Sequence, residues 1–356
     1  MEHLYPALIL DALRKVRYPG TDSNIVDLGM VADDIRIDGK KVSFSLIFPK
    51  ATDPFIKSIV KACEQIILAF VGKDVDIAGN IAVTTPEPAA EPAPPALPGV
   101  KHIIAVSSGK GGVGKSTVAA NLAVSLAREG YSVGLIDADI FGPSVPKMFG
   151  VENEPVYVHD VDGRQLIIPA ERFGVKLLSI GLVVDPQKAA VWRGPMASNA
   201  LRQLLEQGDW GSLDYFVIDM PPGTSDIHLT LVQTINISGA IVVTTPQEIA
   251  LADARKGIAM FREPQINVPV LGIVDNMAWF TPEKHPDELY FIFGNDENVD
   301  RLAAEYDVPV LARIPLVAAV GDHNDAGAPI SLDDNSLTAQ YFRHLAREVI
   351  DRLPNS

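Results

Sequence analysis

A glycine-rich stretch with two lysines, a serine and a threonine is the part of the sequence best equipped for chemistry. It consists of Gly109, Lys110, Gly111, Gly112, Val113, Gly114, Lys115, Ser116 and Thr117. The spacing matches G-x-x-x-x-G-K-[ST], in which glycines let backbone N–H groups approach phosphate oxygens closely. Lys115 is placed to reach the β- and γ-phosphates of a nucleotide, and the Ser116 hydroxyl is placed to ligate Mg²⁺. We therefore predict that residues 109–117 form a nucleotide phosphate site.

The residues on either side predict the elements that must hold this loop. Residues 102–106 are an apolar run typical of a buried strand, and residues 116–128 have helical periodicity. A helix that begins directly after the loop adds its partial positive charge to the phosphate site. Strand, loop and helix in this order are the context in which the motif binds phosphate.

Two further strand-like runs each end in carboxylates. Residues 135–139 read Leu-Ile-Asp-Ala-Asp, and residues 216–219 read Phe-Val-Ile-Asp. Because ligands bind at the carboxyl ends of strands in an open α/β sheet, we expect Asp137, Asp139 and Asp219 beside the loop. Asp219 then holds Mg²⁺ directly or through water, Asp137 is a further partner of the ion, and Asp139 is the candidate to orient the attacking water. The alternative for each is an acid that caps a helix or lies in a loop.

Composition and charge describe a globular protein and disfavour several kinds of partner. The chain has 356 residues, of which 47% are hydrophobic and 21% charged, so two domains are expected. The net charge of −15 disfavours non-specific binding to nucleic acid or to anionic membranes, because both require a basic surface. No apolar stretch reaches the length of a membrane-spanning helix, and the first residues lack the basic region of a signal peptide. We expect a cytoplasmic protein, whose one cysteine, Cys63, excludes an intrachain disulfide.

Residues 1–85 are predicted to form a small α+β domain with the element order αββαβ. The predicted helices are 4–16 and 54–71, and the predicted strands are 30–37, 42–48 and 74–83. Asp38 and Gly39 indicate a hairpin between the first two strands. Cys63 lies on the apolar face of the second helix, so we expect a buried core thiol. Six prolines within residues 86–98 predict a semi-rigid linker over residues 86–99.

Residues 100–356 alternate between apolar runs and helical patterns. The strand-like runs are 102–106, 133–137, 175–180, 215–219, 240–244, 269–274 and 308–314, and the helical patterns are 116–128, 196–207, 226–235, 249–262, 296–305 and 337–351. The alternation predicts a doubly wound α/β domain whose mostly parallel sheet is covered on both faces. Asp162 and Gly163, in the middle of residues 156–169, predict an inserted hairpin.

Lys110, directly after the first glycine, gives the loop the form K-G-G-x-G-K-[ST]. This form resembles the deviant Walker A loop of the MinD, ParA and nitrogenase iron protein class of ATPases. In that class the early lysine reaches across a homodimer to the nucleotide of the other subunit. The resemblance therefore implies a homodimer that hydrolyses ATP with Mg²⁺ and in which Lys110 acts in trans.

Four further segments resemble iron–sulfur cluster carrier ATPases of the Mrp/ApbC type. They are residues 139–146, 191–196, 219–226 and 274–277. The αββαβ domain in front resembles the PaaD-like domain of iron–sulfur assembly proteins. The resemblance implies a role in iron–sulfur cluster assembly or in transfer to apoproteins, with assembly proteins or apoproteins as partners. It also implies that Asn276 contacts adenine.

The sequence departs from this family after Asn276 and Met277. Family members usually have a C-P-x-C motif there, which bridges a [4Fe–4S] cluster across the dimer, whereas this chain has Pro282 and His285 in register with the two cysteines. Proline has no donor atom, and we expect His285 to lie in a solvated loop. Because Cys63 is in the other domain, the chain lacks the Cys₄ ligands of a usual cluster. We predict that the purified protein alone holds no stable cluster.

Two other functions stay open on the sequence. A partition or positioning ATPase would use DNA or a membrane as its track and would require a basic surface or a cationic amphipathic tail. Residues 340–352 carry mixed charge and favour an ordinary packed helix instead. A metabolic kinase of the same P-loop class would transfer phosphate to a small acceptor and would not require Lys110.

Overall fold

The chain separates into two units, Met1–Ala93 and Pro94–Ser356. The computed structural model describes residues 4–21, 23–32, 34–48, 53–84, 97–140, 142–161, 163–183, 194–223, 226–282, 285, 287–295 and 297–354. Most of the linker predicted at residues 86–99 lies outside these ranges, so its boundaries and its stiffness stay predictions.

The first unit has the predicted order αββαβ. Its elements are α1 (Pro6–Leu13), β1 (Arg36–Asp38), β2 (Lys41–Ile47), α2 (Ile56–Phe70) and β3 (Ile81–Thr84). β2 is the central strand of a three-stranded sheet, antiparallel to β1 and parallel to β3. Val42, Phe44 and Leu46 alternate along β2 and are buried against the two helices. Cys63 lies fully buried in this core, as predicted.

The outer strands of this sheet are shorter than predicted. The strand predicted at 30–37 is interrupted because the Asp34 carboxylate accepts hydrogen bonds from Ser45 N at 2.9 Å and Ser45 Oγ at 2.6 Å. A side chain thereby replaces the main-chain acceptor, and only residues 36–38 form β1. The strand predicted at 74–83 begins only at Ile81, because a turn with Gly79 at φ +75° precedes it.

The second unit is built on an eight-stranded sheet, and the predicted doubly wound fold is confirmed. Its strands are β4 (Val100–Ser107), β5 (Val133–Asp137), β8 (Ala170–Arg172), β9 (Val175–Ser179), β10 (Leu213–Asp219), β11 (Gly239–Thr244), β12 (Val270–Phe280) and β13 (Val310–Leu316). They stand in the order β13-β12-β11-β4-β10-β5-β9-β8, and all neighbours are parallel except the edge strand β8. The predicted hairpin is present as β6 (Tyr157–Val161) and β7 (Arg164–Ile168).

Helices cover both faces of this sheet, which explains why its strands are almost continuously apolar. They are α3 (Lys115–Arg128), α4 (Val145–Met148), α5 (Ile180–Val183), α6 (Gly194–Gln207), α7 (Asp226–Thr234), α8 (Glu248–Arg262), α9 (Glu297–Glu305), α10 (Ala318–Asp325) and α11 (Leu337–Arg352), with a 3₁₀ turn at Ile330–Leu332. One core contains residues of α6 to α9, and the other contains residues of α3 and α11. Phe342, Leu345 and Val349 of α11 are fully buried, so the packed C-terminal helix is confirmed.

The second unit differs from the sequence prediction in the length of one strand and in several short elements. The sequence predicts that β12 ends at residue 274, but the strand runs to Phe280. It passes an irregularity at Met277, which has φ +54°, and pairs with β13 again at Phe280. The edge strand β8 and the short helices α4 and α5 were not predicted, since each is shorter than a window in which periodicity can be recognised.

Asp214 joins three strands at the amino-terminal edge of this sheet. Its carboxylate accepts hydrogen bonds from Lys101 Nζ at 2.9 Å, from Ser132 N at 2.9 Å and from Ser132 Oγ at 2.8 Å. The Lys101 hydrogen bond and then those of Ser132 lower the pKa of Asp214 to about 2. This edge is opposite the one at which ligands bind in such sheets.

Within the described ranges, no helix has both the length and the apolar character needed to cross a bilayer.

Candidate nucleotide-binding site

The phosphate loop joins β4 to α3, as the motif requires. β4 ends at Ser107 and α3 begins at Lys115. Gly112 and Gly114 take φ +85° and +83°, a left-handed conformation that glycine adopts without strain. The N-cap residue of α3 is Gly114, which has no side chain to cap the helix, so the first N–H groups of α3 can bind an anion.

Two glycines of the loop also allow close packing. A Cβ at Gly109 would lie 2.1 Å from the backbone carbon of Asp253, so the loop packs directly on α8. A Cβ at Gly114 would lie 2.2 Å from Nδ2 of Asn276, which donates a hydrogen bond to Val113 O at 2.8 Å. Gly109 is therefore required by space, because its Cβ would meet backbone atoms. At Gly114 an added Cβ would displace the Asn276 side chain and would be strained by the backbone conformation as well.

Lys115 lies at the centre of the charged groups of the site. Its Nζ is 2.5 Å from Asp219 Oδ1, 3.3 Å from Ser116 Oγ and 3.9 Å from Asp139 Oδ2. The strand order explains this convergence, because β10 lies between β4 and β5 and brings Asp219 beside the loop. The structure thus brings together four residues that the sequence assigned to one site.

Asp137 and Asp219 are neighbours in register on β5 and β10, and both are fully buried. Burial, reinforced by the charge of Asp219, raises the pKa of Asp137 to about 8. Burial also raises the pKa of Asp219, while the ammonium group of Lys115 opposes this rise. Two carboxyls and one ammonium therefore share a region of low dielectric, and an added cation would stabilise both carboxylates.

The oxygen atoms at this position fit a magnesium ion. Asp219 Oδ2 is buried and accepts no hydrogen bond from the described residues. The Ser116 hydroxyl contacts the same Lys115 that binds Asp219. Carboxylate and hydroxyl oxygens are ligands that Mg²⁺ prefers, so Ser116 and Asp219 are suited to bind the ion. Asp137 lies beside Asp219 on the neighbouring strand and is suited to support them indirectly.

Residues of the loop line two cavities. One, of about 200 Å³, is lined by Gly112, Lys115, Ser116 and Asp139 among others, so charged and hydroxyl side chains of the phosphate loop face it. The other, of about 300 Å³, is lined mainly by apolar side chains together with Thr117 and Asn276. The second cavity suits a nucleoside, and the contact of Asn276 with adenine stays a prediction.

One polar residue of the second cavity was not found from the sequence. Asn324 of α10 lines the cavity and donates from Nδ2 to Thr117 Oγ1 at 3.2 Å. α10 was not predicted, because its short sequence has no amphipathic pattern. No sequence signal therefore linked this asparagine to the phosphate loop, 207 residues earlier.

Lys110 is partly exposed, and its main-chain carbonyl accepts a hydrogen bond from Ser108 Oγ at 2.9 Å. Its ammonium group forms no ion pair with a residue in the described ranges. The segments 191–193 and 224–225, and residue 141, which belong to the predicted motifs, lie outside the described residues.

The segment after β12 contains Pro282 and His285, the two residues in register with the cysteines of the family's C-P-x-C motif. The Phe280 and Tyr290 main chains pair across it through two 2.9 Å hydrogen bonds. The His285 side chain is 62% exposed and lies 3.4 Å from the Glu288 carboxylate, so the predicted solvated histidine is confirmed. Among the described residues, no group of three or more His, Cys, Asp or Glu side chains is arranged to hold a metal ion.

A loop of this kind between a parallel strand and a helix, with carboxylates at adjacent strand ends, defines a P-loop NTPase. Two family models match the chain: "NUBPL iron-transfer P-loop NTPase" over residues 99–350 and "Iron-sulfur cluster assembly protein" over residues 6–78. The chain belongs to the NUBPL iron-transfer P-loop NTPase family, and the family resemblance inferred from its motifs is confirmed.

Known proteins similar to this chain agree with that assignment. The iron-sulfur cluster carrier protein of Synechocystis sp. is 40% identical over 346 residues, which cover 97% of each chain. The iron-sulfur cluster carrier protein of Escherichia coli is 40% identical over 354 residues, covering 98% of this chain and 92% of that one. Among solved structures, the nucleotide-binding protein of Archaeoglobus fulgidus in complex with ADP is 37% identical, covers 67% of this chain and 92% of its own, and has a TM-score of 0.58. The cell division ATPase MinD of Pyrococcus furiosus is 24% identical over 71% of this chain and 99% of its own, with a TM-score of 0.53, and shares the fold.

Proposed function

We propose that the protein binds and hydrolyses ATP with Mg²⁺, and that it uses this cycle in iron–sulfur cluster assembly or in cluster transfer to apoproteins. The observation that carries the proposal is the convergence of Lys115, Ser116 and Asp219 at the end of the phosphate loop. The family of the chain and the cluster carriers similar to it support the iron–sulfur part.

The residues divide the work of phosphoryl transfer. The ammonium group of Lys115 would bind the β- and γ-phosphates, for which it would leave Asp219. Bound Mg²⁺, held by Ser116 and Asp219, would neutralise charge that develops on the transferred phosphoryl group. Asp139 lies 3.9 Å from Lys115 Nζ with its side chain 15% exposed, so it can reach a water molecule and orient it. Asp137 is fully buried. It would act on the ion indirectly, through the groups that surround Asp219.

The proposal includes a homodimer in which Lys110 completes the site of the other subunit. Lys110 follows the first glycine of the loop, and its ammonium group has no ion pair within the described part of its own chain. A cation contributed at the transition state raises turnover far more than it raises nucleotide affinity. We therefore assign Lys110 to hydrolysis in trans.

Direct cluster carriage requires thiolates that this chain lacks at the family position. Pro282 has no donor atom and His285 offers one imidazole, while Cys63 is buried and its pKa is raised by burial to about 12. A thiol with so high a pKa is a poor metal ligand, because ligation requires the thiolate. We propose that the protein acts as an ATP-gated scaffold, with a partner supplying the thiolates.

The two other functions that stay open on the sequence, a positioning ATPase and a kinase, receive less support. A membrane-tracking ATPase would require a free amphipathic tail, whereas the apolar face of α11 is buried in the core. A kinase would release ADP only when a phosphate acceptor is present. Hydrolysis without an acceptor therefore separates the proposed activity from that of a kinase.

The decisive experiment compares wild type with Lys115→Ala. We expect Mg²⁺-dependent phosphate release in the absence of any acceptor, and a loss of about 100-fold or more in Lys115→Ala, because one cation at the transferred phosphate is removed. Lys101→Ala, at the opposite edge of the sheet, is the matched control and should hydrolyse ATP at the wild-type rate. Hydrolysis that survives in Lys115→Ala would place the site elsewhere.

The iron–sulfur part has its own measurement. The assay follows activation of an apo iron–sulfur enzyme by a separate partner protein that carries the cluster on its own thiolates. Activation should be faster when the wild-type protein and ATP are added together. Lys115→Ala should lose this acceleration. Equal activation by both variants would separate the ATPase from cluster transfer and contradict the proposal.

A further inference from the structure

Three residues stand side by side at the carboxyl ends of three adjacent strands. Asp219 on β10 is in register with Asp137 on β5, which is in register with Ser179 on β9. All three are fully buried. The two aspartates belong to the nucleotide site, but Ser179 matches none of the motifs in the sequence.

Ser179 contacts Asp137 through its hydroxyl. Ser179 Oγ donates to Asp137 Oδ2 at 3.1 Å and accepts from Gly181 N at 3.0 Å. A serine hydroxyl has a single hydrogen. In its ionised form, which a bound cation favours, the Asp137 carboxylate can only accept, so that hydrogen is committed to Asp137. The remaining hydrogen bonds that Asp137 receives from described residues come from the main chain, from Asp139 N at 3.1 Å and Val145 N at 3.3 Å.

A second contact joins α5, which begins directly after Ser179, to the loop that follows Asp139. A Cβ at Gly181 would lie 2.8 Å from both Cβ and Cγ of Pro143. Gly181 is not in the left-handed region, so its small size is required by space and not by its backbone conformation. α5 therefore supports the loop 142–145 sterically, while Ser179 supports Asp137 by a hydrogen bond.

We infer that Ser179 is a positioning residue for the magnesium–nucleotide site, and that it holds the Asp137 carboxylate and the loop 142–145 in one arrangement. The inference rests on the proposed function and adds a residue to it. Without the hydroxyl, the only hydrogen bond that Asp137 Oδ2 still receives from a described residue is the long one from Val145 N. The carboxylate then gains freedom to rotate, which weakens its hydrogen bond to Val145 N in the loop 142–145, and Gly181 N loses its acceptor.

The test measures metal binding separately from nucleotide binding and hydrolysis. Mn²⁺ binding in the presence of ADP is followed by electron paramagnetic resonance. The Mn²⁺ concentration at half-saturation should be at least about fivefold higher in Ser179→Ala than in wild type, and kcat should be about tenfold lower. Affinity for a fluorescent ATP analogue in EDTA should stay within about twofold of wild type. A role confined to stability would not produce this split.

Ser125→Ala is the matched control. Ser125 is also fully buried, and its hydroxyl donates to Ser331 Oγ at 3.2 Å, away from the aspartates. It should leave metal half-saturation, kcat and nucleotide affinity within about twofold of wild type. If Ser179→Ala resembles Ser125→Ala in all three measurements, the inference is overturned.

A second variant acts from the other side of the contact and keeps the test decisive if Ser179→Ala fails to fold. Gly181→Ala pushes against Pro143 and should give the same rise in metal half-saturation, whereas Gly257→Ala in α8, whose Cβ would meet no atom within 4 Å, should not. Normal metal binding by Gly181→Ala would contradict the inference. If wild type binds Mn²⁺ and nucleotide but does not hydrolyse ATP, the proposed activity fails, while the metal measurements still decide the role of Ser179.

Discussion

Replacement of Gly114 by alanine tests the geometry of the site at one atom. Gly114 has φ +83°, and an added Cβ would lie 2.2 Å from Asn276 Nδ2. The left-handed conformation costs an alanine about 1–2 kcal/mol. The new methyl group must also displace Asn276 and break its 2.8 Å hydrogen bond to Val113 O, which contributes about 1 kcal/mol. We therefore expect Gly114→Ala to lower the free energy of unfolding by about 2–3 kcal/mol.

Gly112→Ala separates the two contributions. Gly112 has φ +85°, and a Cβ there would meet no atom within 4 Å. This variant has the same backbone cost but no displaced neighbour, so it should lose only about 1–2 kcal/mol. Urea unfolding of the full chain, followed by tryptophan fluorescence, measures the second unit, because Trp192, Trp210 and Trp279 all lie there.

Asn276→Ala completes a double-mutant cycle. In that background Gly114→Ala has no asparagine to displace, so its cost should fall to that of Gly112→Ala, with a coupling free energy of about 1 kcal/mol. If the 300 Å³ cavity lined by Asn276 holds the nucleoside, Gly114→Ala should also bind a fluorescent ATP analogue at least about tenfold more weakly, because Asn276 is displaced there. Equal costs for Gly114→Ala and Gly112→Ala, with zero coupling to Asn276, would refute the reasoning.

Three further predictions concern the dimer, the sheet and the cluster. Mixed dimers of Lys110→Ala and Asp139→Ala subunits should hydrolyse ATP faster than either parent, because one of their two composite sites is intact; no recovery in dimers shown to be mixed would contradict action in trans. Asp214→Asn should lower the free energy of unfolding by about 1–2 kcal/mol near pH 7. Denaturation at several pH values should show this difference shrinking between about pH 4 and pH 2, because a lowered carboxyl pKa stabilises the fold above the unfolded value and is lost as pH falls through the folded one. After anaerobic reconstitution and gel filtration, the chain alone should retain no stoichiometric iron and sulfide; a retained cluster that disappears in His285→Ala or Cys63→Ser would identify the ligand.

The sequence predicted most of the fold, because the signals for it are local. The alternation of apolar runs with helical patterns located the parallel strands and the long helices of the second unit to within a few residues. The errors lie where a distant or irregular contact decides. Asp34 interrupts a strand because its side chain binds Ser45 N, and β12 continues through the irregular residue Met277.

The candidate site was only partly predictable for the same reason. The phosphate loop is a continuous motif, and its residues can be read without a structure. Asp137 and Asp219 could be included because each ends an apolar run. Ser179 lies one residue before the end of such a run, but a serine there carries no chemical signal until its neighbour across the sheet is known. Asn324 lies in a helix without a pattern and had no signal at all.

The sequence by itself determined the class of site: a phosphate loop between a strand and a helix, with acids at two strand ends and no cysteine at the expected cluster position. Only the tertiary structure decided which side chains meet. The placement of β10 between β4 and β5 puts Asp219 2.5 Å from Lys115, although the two residues are 104 positions apart. The physical reason is that apolar periodicity states which face of an element is buried, whereas strand order follows from how all the elements pack together. The contacts of Ser179, Asn324 and Asp219 depend on that order.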